Sequence, residues 1–231
     1  MNRIAPAPDI YATCPLDGGV LDYYAGTFEA AYVLLSPFIR PMSISAKLFR
    51  PETHPDRLTI MATCQAVSWS EVMSLSGLPS FSALDIGLRT QIGGLNDKYA
   101  NQDFADCLDK MTESTGVRSP PEGEHSDLLH HQVLSLFQEL GHTWVWVGDE
   151  FSSERKLHFI DDLKNEKRQT INGRCNVFSP DKSILWTVHW DSHFSFLCSS
   201  REILDRIRVS DRLEGFFCTP KTEVFWSVLN E

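Results

Sequence analysis

The chain has 231 residues, 42% of them hydrophobic and 23% charged, with a formal net charge of -10 and a sequence pI of about 5.2. That size and mixture suit one folded unit with a sizeable core and exclude global disorder. The acidic balance disfavours phosphate backbones, and no apolar run approaches the length of a membrane span, so neither a nucleic-acid nor a membrane partner is expected.

The opening "MNRIAPAPDIYATCPLDGG" lacks the apolar core of a signal peptide. Residues 1–20 are rich in Pro and Gly and are expected to form a surface arm. Six cysteines are scattered with no C-x-x-C pair, so a zinc ribbon is not indicated and the thiols are expected to be reduced, in the cytoplasm. The stretch from Val20 to Leu35 places Tyr24, Phe28, Ala31, Tyr32 and Leu35 on one helical stripe, stopped by Pro37 and Pro41. Arg57 to Val67 is expected to be a strand. Ser68 and Glu71 then form an S-x-x-E capping box before a helix that Gly77 and Pro79 end.

From Asp97 to Asp127 the chain turns acidic, and "DFADCLDKM" within it has the pattern of an amphipathic helix with Phe104, Leu108 and Met111 inward. Residues 118–125, "RSPPEGEH", are a loop or a sub-domain boundary. Ser126 then caps the helix "DLLHHQVLSLFQEL", whose stripe is Leu129, Val133, Leu136, Phe137 and Leu140, with Gly141 as the stop. His130 and His131 point about 100° apart on that helix and are expected at its boundary or surface. The rest is strand-rich. "HTWVWVGDEF", "KLHFIDDL" and a hairpin turning at "SPDKS" come first. A second S-x-x-E box at Ser199 and Glu202 then starts a helix, and two aromatic strands flank "TPKT". The whole reads as a single α+β domain over residues 1–231, a largely helical N-terminal half on a mainly antiparallel C-terminal sheet.

No P-loop, dinucleotide fingerprint, H-E-x-x-H helix or G-x-S-x-G elbow occurs, so no catalytic residue is assigned. The one constellation that attracts chemistry is "TVHWDSHFSF", with His189, Asp191 and His193 at alternate positions. On one long strand these three share a face, while Trp186, Trp190 and Phe194 line the other. Residues four apart on a strand are about 13 Å apart, too far for both histidines to reach one metal ion without a bend. Two readings stay open. A bend at Asp191-Ser192 leaves the histidines beside it, or two of the three join a divalent metal with a third ligand such as His158 or His142. Trp144, Trp146 and Trp190 likewise read as core or as an aromatic binding surface.

The runs "DSHFSFLCSS", "LEGFFCTPKTEVFWSV" and "AAYVLLSPFI" resemble a bacterial family known as a domain of unknown function. "SGLPSF" and "IGGLN" are similar to the Leu-Pro and Gly-Gly positions of the Smi1/Knr4 superfamily, a resemblance that implies a toxin-immunity protein. Neither resemblance carries a functional residue over. The reading is a non-enzymatic, immunity-type module that neutralises a basic protein partner and holds no cofactor. The alternative is a metal-binding protein or metal-dependent hydrolase at "HWDSH".

Overall fold

The computed structural model describes residues 7–165, 170, 171 and 173–229; residues 1–6 of the expected arm lie outside the described part. A seven-stranded sheet forms the middle layer. Its strands are β1 (Ala30–Leu35), β4 (Trp144–Gly148), β5 (Arg155–Phe159), β6 (Asn176–Phe178), β7 (Leu185–Val188), β8 (Phe194–Ser199) and β9 (Gly215–Phe217). Their order is β5-β4-β6-β7-β8-β1-β9, and every pair is antiparallel. A separate two-stranded ribbon joins β2 (Phe38–Pro41) to β3 (Cys64–Val67). The fold is α+β, as its mixture of helices and antiparallel strands shows.

Both faces of the sheet are covered. One face packs Ala31, Val33, Leu35, Phe194 and Phe196 against helices α1 (Val20–Tyr23), α3 (Trp69–Ser76), α4 (Phe81–Gln91) and α5 (Gln102–Thr115). The other packs Tyr32, Leu34, Trp186 and Leu197 against α6 (Asp127–Glu139), α7 (Ile160–Asn165), α8 (Arg201–Arg206) and α9 (Val209–Arg212). A strand buried on both sides reads as a continuous apolar run. This is why "AAYVLL" is a strand here and not part of a helix. The helix expected over Val20–Leu35 shrinks to the four residues of α1, and β1 is drawn between β8 and β9 by pairings far along the chain.

Other departures have equally local causes. Asp56 caps a helix, α2 (Arg57–Thr63), by accepting the Thr59 N–H, so the strand expected there survives only as β3. Strand β5 ends at Phe159 and gives way to α7. The second capping box is displaced by one residue: Ser200, not Ser199, accepts the Ile203 N–H. The second aromatic strand beyond "TPKT" is a 3-10 turn, Trp226–Leu229. His130 is 1% exposed, buried rather than at a boundary, because Arg57 reaches across from α2 to its ring.

Other elements match the sequence directly. Ser68 accepts the Glu71 N–H, and Gly77 ends α3 with φ +75°. Helix α5 buries Leu108 and Met111. The "SPDKS" turn joins β6 to β7. The described part of the arm is tied in: Ala12 is fully buried, and the Tyr24 hydroxyl donates to the Thr13 carbonyl. Among the described residues no helix is long and apolar enough to cross a membrane.

Candidate functional site: the β7–β8 turn and the cavity beside it

The segment that begins "TVHWDSHFSF" is two strands and a turn. β7 stops at Val188, β8 starts at Phe194, and the Ser192 N–H donates to the His189 carbonyl at 3.1 Å. The expected bend at Asp191-Ser192 is this turn. Reversal of the chain also shifts the alternation. Trp186 on β7 faces one core, while Phe194 and Phe196 on β8 face the other. The shared aromatic face expected for Trp186, Trp190 and Phe194 therefore does not exist. The face expected to be polar is buried as well, apart from the half-buried Asp191.

Three distant parts of the chain converge on the turn. The His189 Nδ1 accepts the Asp191 N–H at 3.2 Å, so the ring proton resides on Nε2, which donates to the Leu16 carbonyl at 3.0 Å. The Ser192 hydroxyl lies 3.2 Å from the same Nδ1 and accepts from Arg89 Nη2 at 3.0 Å. Arg89 also donates to the Val224 carbonyl. Its Nε stands 3.0 Å from Asp85 Oδ2, four residues earlier on α4, with both side chains fully buried. The guanidinium lies over the Phe225 ring at 4.7 Å and the Phe194 ring at 5.4 Å. From the α5–α6 connection, the Gly123 N–H donates to the Ser192 carbonyl at 2.9 Å. A Cβ at Gly123 would stand 2.5 Å from the Trp190 carbonyl oxygen, so only glycine fits this approach.

Electrostatics follow from burial. Loss of solvent, reinforced by Arg89, lowers His189 to about 4 and His193 to about 3, so both rings are neutral at pH 7. Burial raises the Asp85 carboxyl while Arg89 pulls it down. Asp191 is also raised by burial, against Arg89 and Arg174.

Beside the turn lies a cavity of about 220 Å³. The N-terminal segment closes it with Pro8, Thr13, Cys14, Pro15 and Leu16. Tyr23 of α1, Glu150 and Phe151 of the β4–β5 loop, and Val188, His189 and Trp190 complete the wall. Burial pushes the Cys14 thiol well up, with Glu150 adding to the shift and Thr187 opposing it.

The sequence-derived candidates divide. His189 and Trp190 line the cavity, and Asp191 and His193 share their turn. His158 sits on β5, three strands from β7, roughly 14 Å across the sheet. His142 precedes β4, which runs parallel to β7, so it lies at the opposite end of the sheet, beside Asp181 and Ser183. Among the described residues no group of three or more His, Cys, Asp or Glu side chains is placed to hold a metal ion. Trp144 is 45% exposed and packs at a tilt against Phe159 at the far end of the sheet. Trp146 packs on the core, and Trp190 is 41% exposed, so the three do not form one surface. Arg89 and Asp85 escaped the sequence reading. Their signal was an i,i+4 Asp-Arg pair adjoining the buried Leu84 and Leu88 of α4.

The "Uncharacterized protein YwbB" of Bacillus subtilis (strain 168) is 30% identical over 118 residues, which are 49% of this chain and 51% of that protein. The chain thus spans about half the length of the curated relative it matches. No solved structure matches significantly. A family model described as "Protein of unknown function (DUF2711)" matches residues 17–228, and the chain belongs to that family.

Proposed function

We propose that this protein is a non-enzymatic binding module, cytoplasmic as its scattered cysteines without a C-x-x-C pair favour, and that its ligand enters the cavity beside the β7–β8 turn. The observation that carries the reading is the contrast between a largely apolar cavity and the buried polar network behind it. A hydrolytic Ser-His pair needs a serine that substrate can reach and a histidine free to take its proton. Ser192 is fully buried, and both nitrogens of His189 are engaged by Leu16, Asp191 and Ser192. The Cys14 thiol is held protonated, which removes its nucleophilic form. These groups shape and brace a pocket, the ordinary anatomy of a small-ligand site. The test is a fragment screen followed through the Trp190 indole and His189 ring signals. Binders that shift these two and spare Trp144 are expected. Binding only elsewhere on the molecule would end the reading.

A second reading keeps an immunity-type role, with a basic protein partner on the outer face of α5. Asp103, Asp109 and Glu113 are exposed there, and none of them makes a salt bridge among the described residues. Such unpaired carboxylates suit electrostatic steering of a cationic partner. Capture of a stoichiometric basic protein by the wild type, lost on changing all three to Lys, is the expected outcome. No retained partner would sink it.

A further inference from the structure

We infer that the ligand of the cavity is a small organic cation, an ammonium or guanidinium on a short apolar stem. The inference rests on the cavity being the binding element. Among the described residues Glu150 is the charged side chain in its wall, with no Lys or Arg there. The aromatic residues of the wall, Tyr23, Phe151 and Trp190, present rings whose faces attract cations. His189 adds no charge, since its Nδ1 accepts the Asp191 N–H and its Nε2–H is committed to Leu16. An anion in this cavity would meet Glu150 with no cation in the wall to compensate it. A neutral ligand would leave that carboxylate with only a long contact to Arg174.

The chain already places a cation at this rim. The Arg174 guanidinium carbon lies 5.5 Å from the Trp190 ring centre, and its Nη1 is 3.8 Å from Glu150 Oε2. That separation is long for an ion pair, and Arg174 is 48% exposed, so Glu150 retains capacity for a closer donor. Asp191 and Glu122 both feel the same arginine. Three carboxylates therefore act electrostatically on one guanidinium beside Trp190. Burial raises Glu122, and repulsion from Asp191 raises it further, as expected where negative potential accumulates.

The experiment titrates the full chain with three probes of one shape, 2-phenylethylammonium, 2-phenylethanol and 3-phenylpropionate, read through the Trp190 indole signal. The ammonium is expected to bind about tenfold tighter than the alcohol, the gain of one charge-assisted hydrogen bond, with the carboxylate weakest. Glu150→Gln should bring ammonium and alcohol within about twofold of each other. Equal or tighter binding of the alcohol or carboxylate to the wild type overturns the cation inference and leaves the cavity reading standing. Failure of all three to reach Trp190 overturns both. The wild-type ranking decides the inference even if the variant does not fold.

Discussion

Strand β7 has a turn at each end, and the two are built differently. The β6–β7 turn is satisfied mainly by its own residues, with His142 and Ser199 at its edge. Ser179 donates to Asp181, the Ser183 N–H donates to Ser179 Oγ and to Asp181, and Lys182 takes φ +64°. The β7–β8 turn is satisfied from outside, by Leu16, Arg89 and Gly123, each far away in sequence. A local turn reports only on itself. The second turn ties the N-terminal segment, α4 and the α5–α6 connection together, and it stands beside the cavity. Damage to it should therefore propagate, whereas damage to the first should not.

The largest expected effect tests that contrast most directly. Arg89→Met leaves Asp85 buried without its partner and strips a donor from Ser192 and Val224. Loss of one member of a buried pair costs about 3–5 kcal/mol, and urea unfolding should show a loss near the middle of that range. Changing Asp85 to Leu as well should restore part of it, because the stranded charge is gone. A single variant within 1 kcal/mol of the wild type by that measurement would show that the turn does not depend on the network. Gly123→Ala comes next. Its φ of +62° and the 2.5 Å approach to the Trp190 carbonyl oxygen force the backbone apart. A destabilisation of about 3 kcal/mol is expected, with shifts at Trp190 and His189 in the spectrum.

The same contrast explains which parts of the molecule were readable in the sequence. "SPDKS" announces its turn because Ser, Pro and Asp act within a few residues. The Ser68 cap, Gly77 and α5 are legible for the same reason, since caps and periodicity are local; α6 is legible by its periodicity, whereas Ser126, at its N-cap position, makes no side-chain cap bond. "AAYVLL" misleads because a doubly buried strand and a buried helix share one apolar pattern, and only the pairing with β8 and β9 separates them. At the site, His189 and Trp190 attracted notice by residue type, and the bend followed from strand length. The roles of Arg89, Gly123, Leu16 and Glu150 depend on contacts with residues far along the chain, which no local pattern encodes.

Acidity separates the two turns without any substitution. His189 and His193 are lowered to about 4 and about 3, and on the other face burial lowers His125 to about 4 and His130 to about 2, with Arg57 adding to the His130 shift. The unfolded chain takes up these protons near pH 6.5 while the folded chain refuses them. Stability is thus full above that value and falls with decreasing pH, by up to about 1.4 kcal/mol per unit for each histidine, until the folded values are reached. Asp85, raised in the fold, contributes in the opposite sense. The folded chain holds its proton at a pH where the unfolded chain, at 3.8, has released it, so Asp85 offsets part of the acid loss in that window. His189→Gln should reduce the slope between pH 6 and 5 by close to one proton. An unchanged slope would place His189 outside the titrating set.

The smallest effect belongs to the local turn. Burial pushes the Asp181 carboxyl up, but hydrogen bonds from Ser179 and Ser183, with His142 nearby, outweigh it and hold the group below its ordinary 3.8. Its contribution is present above that value and is lost only as pH falls through the lower folded value, well after the histidines have acted. The side chain is 58% exposed, so water replaces much of what Asp181→Ala removes, and a cost of about 0.5–1 kcal/mol follows. The Trp190 and His189 signals should stay in place, since nothing in the first turn touches them. A shift there, or a loss approaching that of Arg89→Met, would mean that β7 transmits strain from one end to the other. The two turns would then be one coupled unit, and the cavity would depend on the whole hairpin rather than on the network at its foot.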